Sequence, residues 1–185
     1  RNEKAMIIPA NPIYAEVIAR TLSFNCQDEI LLMKPDFEIP RYLKNGRIDM
    51  DFLMRDFQQF WRDNSEILTK RFTYVEAAPH LTMMAFLQRV VNGGGQIHRD
   101  MAAGTGRLDL CLVYENEKYP IELKIRYDTK TLEKGLEQTA RYMESYGCNK
   151  GWLAIFDRRK TVSWDDKLTM EDIVVDGKEI TVVGL

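Results

Sequence analysis

Asp109, Glu122 and Lys124 stand in GRLDLCLVYENEKYPIELKI, where two runs of strand-like residues flank a polar reversal. Two carboxylates and an ammonium on one sheet face suit a hard divalent cation. Mg²⁺ takes one or two protein carboxylates, keeps several waters and binds substrate phosphate oxygens. The chemistry this supports is hydrolysis of a phosphodiester: Asp109 and Glu122 are the candidate ligands of Mg²⁺ or Mn²⁺, and Lys124 orients or polarises the attacking water.

Shared placement follows from strand periodicity. In IELKI the apolar Ile121, Leu123 and Ile125 alternate with Glu122 and Lys124, so the last two share a face. RLDLCLVY puts Leu108, Leu110 and Leu112 on one side and Asp109, Cys111 and Val113 on the other, as in a strand covered on both faces. With the reversal centred between Asn116 and Glu117, Tyr114 faces Tyr119, Cys111 faces Glu122 and Asp109 faces Lys124. Directly paired side chains lie about 5 Å apart. A slip by one residue would send Asp109 to the opposite face. The bland alternative is an intrasheet salt bridge. Glu-x-Lys alone carries little weight in a chain that is 29% charged, but an aspartate on an otherwise apolar strand needs a partner.

The flanking elements must hold these strands. Residues 77–91 (AAPHLTMMAFLQRVV) read as a helix with Pro79 in its first turn, stopped by Asn92-Gly93-Gly94-Gly95. Strands follow at 96–101, 107–114 and 118–126. A second helix spans 131–146, with Gly147 past its end, and a buried strand occupies 151–156 (GWLAIF). The order α-β-β-β-α-β requires a parallel pairing across the second helix.

That order, with an Asp on the second strand and Glu-x-Lys on the third, resembles the PD-(D/E)XK nuclease superfamily. QTARY is similar to the Q-x-x-x-Y motif of its RecB-like branch. YVEAAPHL, FLQRVVNGGG, GTGRLDL, IELKI, GLEQTARYM and GWLAIFDRR look like the carboxy-terminal nuclease domain of bacterial proteins that carry an AAA-type ATPase domain ahead of it. The resemblance covers about residues 74–160. It implies an α/β (α+β) fold with a restriction-endonuclease-like core, a mixed sheet flanked by helices. It also implies action on nucleic acid, DNA first, with Asp109, Glu122 and Lys124 catalytic and Gln138 and Tyr142 on substrate. The family's first helix often supplies an acidic residue, which Glu76 matches; Glu76 at the helix entrance would equally complement the dipole. Gly135, three residues before Gln138, either admits a close backbone or packs helix on sheet. Arg107 shares the face of Asp109, to hold a phosphate or pair with a carboxylate.

The rest of the chain bounds the context. Its 185 residues, 45% hydrophobic, suffice for one domain over 74–185 and a mostly helical extension or linker over 1–73. That extension holds a helix starting at Asn11-Pro12 and an aromatic stripe of Phe52, Phe57, Phe60 and Trp61, better used in a core than in stacking bases. DIVVDGKEITVV reads as a hairpin turning at Asp176-Gly177 that extends or covers a sheet edge. No apolar run reaches membrane-span length, and Cys26, Cys111 and Cys148 suggest neither a disulfide framework nor a zinc site, so a cytoplasmic protein is expected. A homo-oligomer is left open.

Charge tempers the reading. Lys and Arg number 26 against 28 Asp and Glu, with a pI of about 5.8, whereas phosphate neutralisation usually demands a basic surplus. The alternative is therefore a catalytically weak or inactive nuclease-fold module that binds or interacts beside an ATPase. No phosphate loop, nucleophile elbow or Cys/His pairing supports rival chemistry.

Overall fold

Alternating apolar residues and tight turns build one mixed sheet, and helices cover both of its faces. The structure, a computed structural model, describes residues 42–71, 77–91, 94–103, 106–128, 130–159 and 161–185. The helix expected from Asn11-Pro12 lies outside the described residues.

A small hairpin, β1 (Leu43–Lys44) and β2 (Arg47–Ile48), precedes α1 (Met50–Arg71) and α2 (Ala77–Val91). Then come β3 (Gly95–Ala103), β4 (Gly106–Tyr114), β5 (Glu117–Arg126), α3 (Thr131–Tyr146) and β6 (Lys150–Asp157). A single turn, α4 (Trp164–Lys167), leads to β7 (Met170–Val175) and β8 (Lys178–Gly184). The six-stranded sheet runs β3-β4-β5-β6-β8-β7. Its core order is the expected α-β-β-β-α-β, and β5 and β6 pair in parallel across α3 as the crossover requires. Both expected helices end where the sequence pattern ends. Gly147 takes a left-handed φ of 65° and its N–H caps the Met143 and Glu144 carbonyls.

The carboxy-terminal hairpin turns at Asp176-Gly177, with both residues at positive φ. It extends the sheet: β8 pairs in parallel with β6, and β7 forms the edge.

The β4–β5 register differs from the sequence expectation. Tyr114 faces Glu117, Cys111 faces Pro120 and Leu110 faces Ile121, so Cys111 does not oppose Glu122 and Asp109 does not oppose Lys124. The reversal is a two-residue turn at Glu115-Asn116 with Glu115 at φ 50°, a shape whose twist suits a tight hairpin better than a four-residue loop. The shift is two residues, an even number, so it leaves the facing of each side chain unchanged.

Leu110, Leu112, Tyr119, Ile121, Leu123, Trp152 and Phe156 enter one core with α1 and α2. Leu153, Ile155, Ile180 and Val182 form the opposite core with Ala140 and Met143 of α3. Of the aromatic stripe, Phe57, Phe60 and Trp61 pack inward while Phe52 stays exposed: Phe57 meets Phe86 of α2 at 5.1 Å and Phe156 of β6 at 6.2 Å, both edge-on, and Trp61 meets Phe156 at 4.9 Å. Gln58 clamps α1 to the end of β8, donating to the Thr169 and Gly184 carbonyls. Packing therefore unites α1 with the sheet, in one unit from Glu38 to Leu185, and the expected boundary after residue 73 is no break in it. The reason is that the apolar face of α1, with Leu53, Met54, Phe57 and Trp61, is buried in the same core as the sheet.

Phe57→Ala should cost about 3–5 kcal/mol, since Phe57 is wholly enclosed, whereas Phe52→Ala on the outer side of the same helix should cost under about 1 kcal/mol. Urea denaturation of the two variants checks this.

Candidate metal and catalytic site

β5 changes partners midway. Its ladder with β4 ends at the pair Leu110 and Ile121, while its ladder with β6 runs from Ile121 to Arg126. Beyond Ile121 the strands β4 and β5 part, and Asp109 and Glu122 are the first residues past the last pair. A backbone N–H that loses its ladder partner must find another acceptor. The Leu123 N–H finds one in Asp109, donating to Oδ2 at 2.9 Å.

Leu108 clusters with Cys111 and Tyr142, while Leu110 and Leu112 belong to the core beneath α1 and α2. Unbroken alternation would have kept the three leucines on one side, as expected from sequence. The departure from alternation is at Leu108, next to Asp109, whose carboxylate accepts from the Leu123 N–H.

Glu122 has no exposed surface. Its Oε1 accepts from Lys124 Nζ at 2.5 Å, and its buried Oε2 has no hydrogen-bond partner. Burial first, then the nearby charge of Asp109, pushes the Glu122 carboxyl from its ordinary 4.5 up to about 7, against the pull of the Lys124 ammonium and, more weakly, of the Asp109 backbone N–H. Lys124 keeps a quarter of its side chain exposed. The structure thus brings Lys124 into hydrogen-bond contact with Glu122 and Asp109 within electrostatic reach of it, without Asp109 and Lys124 facing each other across the ladder.

A hard cation fits this donor set. An enclosed carboxylate oxygen without a partner is costly, and a second carboxylate lies close enough to raise its proton affinity. Among the described residues no group of three or more His, Cys, Asp or Glu converges, so Asp109 and Glu122 would be the protein's share of the coordination. Glu76 lies outside the described residues. Arg107 occupies β4 opposite Ala102, and its side chain also lies outside them.

Helix α3 roofs the site. Gly135 comes so close to the sheet that an added Cβ would sit 2.9 Å from Leu153 and 3.4 Å from Lys124 Cγ, which answers the glycine as helix-on-sheet packing. Leu153 is the β6 register partner of Glu122 and forms the dry wall beside it. Sequence reasoning missed this neighbour because parallel register is not written in either strand. Gln138 Nε2 donates to the Tyr142 hydroxyl at 2.6 Å. Tyr142 is buried against the Leu108 and Cys111 cluster, so its ring serves as packing and only the half-buried Gln138 lies toward the surface.

Comparison with known proteins yields one match: a family model described as a domain of unknown function, DUF8371, matches residues 54–160. No curated protein and no solved structure matches the chain. The matched stretch runs from α1 to just past β6 and contains the whole fork.

Titration of Glu122 gives a signed prediction. Its folded pKa lies above its unfolded one, so between about 4.5 and 7 the folded chain binds the extra proton, and stability falls as pH rises through that window. Melting temperatures measured in EDTA from pH 4.5 to 8 should decline more in the wild type than in Glu122→Gln, which has no such proton to lose. Parallel profiles for the two proteins would contradict the assignment.

Proposed function

The chain belongs to the DUF8371 family, described as a domain of unknown function, and from its site we propose that it is a metal-dependent nuclease domain that hydrolyses phosphodiester bonds of nucleic acid, DNA first. The observation that carries this reading is the buried Glu122 carboxylate, one oxygen held by Lys124 and the other without a partner at the fork beside Asp109.

Asp109 and Glu122 would hold Mg²⁺ or Mn²⁺. Such an ion supplies Lewis acidity and a bound water of lowered pKa. Glu122 must shed its proton before it can serve as a ligand, which ties activity to pH near neutrality. Asp109 is already anchored by the Leu123 N–H, so its orientation needs no rearrangement. The Lys124 ammonium, held beside Glu122, offsets negative charge that builds on the phosphoryl oxygens. The closed roof of α3 and Leu153 keeps bulk water from Glu122 and strengthens these electrostatic effects.

The same reading carries an AAA-type ATPase domain as neighbour in the whole protein and a cytoplasmic setting. Among the described residues no helix is long and apolar enough to cross a membrane. A second reading, a nuclease-fold module with little hydrolysis of its own, draws on the acidic balance of 26 basic against 28 acidic residues and on Lys124 being closed onto Glu122.

Calorimetric titration with Mn²⁺ should give saturable binding to the wild type, tightening as pH rises through about 7, and none to Asp109→Ala or Glu122→Gln. In Mn²⁺, Lys124→Ala should cleave linear, circular or single-stranded DNA about 10²–10³-fold more slowly while still binding metal. Metal binding without cleavage of any of the three would favour the second reading. No metal binding by the wild type would remove the nuclease reading.

A further inference from the structure

Arg126 lies on β5 two residues beyond Lys124, which places it on the same face and about 7 Å further along the strand. Its register partner on β6 is Asp157. The Asp157 side chain is 5% exposed, and Arg159 grips it through Nε at 2.9 and 3.0 Å and Nη2 at 2.5 Å. The Arg159 backbone N–H adds a fourth contact at 2.9 Å. The Arg158 N–H donates to the Arg126 carbonyl, stitching the loop after β6 to the end of β5. Arg126 Nε donates to the Asp128 carbonyl at 3.1 Å, which orients its guanidinium. Burial pushes the Asp157 carboxyl up, yet the Arg159 hydrogen bonds, with the charges of Arg159 and then Arg126 behind them, hold it below the usual carboxylate range. One guanidinium, that of Arg159, therefore grips the carboxylate, while that of Arg126, the register partner of Asp157, turns to the Asp128 carbonyl.

Arg158-Arg159-Lys160, after β6, reads from sequence as a solvated loop, but Arg159 is pinned to a nearly buried acid. Pinning matters because a guanidinium held in one orientation loses less entropy when it binds an anion. Arg159 Nη1 is not used by Asp157, and neither terminal nitrogen of Arg126 is engaged by Asp128. These donors lie at the carboxyl ends of two parallel strands, where open α/β sheets commonly bind ligands.

We propose that Arg159, braced by Asp157, and Arg126, oriented by the Asp128 carbonyl, form a seat for a backbone phosphate of the nucleic-acid strand, next along the chain from the phosphate at Glu122 and Lys124. The inference rests on the nuclease reading for its ligand. Planar donors in this arrangement match a phosphate's oxygens better than a lysine ammonium would.

The test measures binding of fluorescein-labelled single-stranded and duplex DNA by anisotropy, in EDTA so that no cleavage intervenes, across a range of salt. Arg159→Gln and Arg126→Gln should each weaken binding about tenfold and lower the salt slope by about one phosphate contact. Asp157→Asn separates pinning from charge: it adds a positive charge yet frees Arg159, so the seat predicts weaker binding and a general charge effect predicts stronger binding. Millimolar inorganic phosphate should leave the bound DNA in place; displacement would mark a free-phosphate site instead and overturn the proposal. DNA binding by the wild type that neither arginine variant alters would also overturn it while leaving the nuclease reading intact. A wild type that binds neither DNA form would overturn the seat, while the nuclease reading stands or falls on the Mn²⁺ titration.

Discussion

A carboxylate with no exposed surface, Glu122, constrains everything around it. Removing a carboxylate from water is expensive unless something compensates it. Here the compensation is incomplete: Lys124 serves one oxygen and the other goes without. The interior could have placed an apolar residue at this position, as it did at the flanking Ile121 and Leu123. That a charged group persists between two apolar neighbours, under a helix whose glycine brings it close, sets the position apart from a surface ion pair.

The fold supplies the means of burying it. β5 is shared between two neighbours, antiparallel to β4 at its start and parallel to β6 at its end. A strand that exchanges partners opens a wedge, and backbone groups along the wedge lose ladder hydrogen bonds. Asp109 closes that deficit through the Leu123 N–H, so one side chain both repairs the sheet and brings negative charge to Glu122. A structural role and a chemical role thus coincide, and the stability of the fork depends on the same acid that would bind a cation.

Much of this was legible in the chain. The period-two pattern of IELKI and the four-residue spacing along α3 put Glu122 with Lys124 and Gln138 with Tyr142, and both pairs are hydrogen-bonded. The ends of α2 and α3 follow from Pro79, the glycine run after residue 91 and Gly147. Less legible was the tight turn at Glu115-Asn116: neither residue is glycine, so the reversal carried no strong turn signal and its centre was placed one residue late. The side of Asp109 survived because the resulting slip was even. The break in alternation around Asp109 was not readable at all, since LDL looks regular until one of its strands departs. Nor was the burial of Tyr142, because a tyrosine four residues from a glutamine looks alike on a wet face and a dry one.

What the sequence determined by itself was local: which residues form strands and helices, which side chains share a face, and that two acids and a lysine fall close together in an α-β-β-β-α-β order. Short-range sterics and the alternation of apolar residues are sufficient for that. The tertiary structure alone decided which strand lies beside β5, hence that Leu153 walls Glu122 and that Asp157, gripped by Arg159, is the register partner of Arg126. It also decided that α1 shares the core instead of forming an extension. Those outcomes depend on contacts between residues far apart in the chain, where burial of one face against another, and not the preference of any single segment, selects the partner.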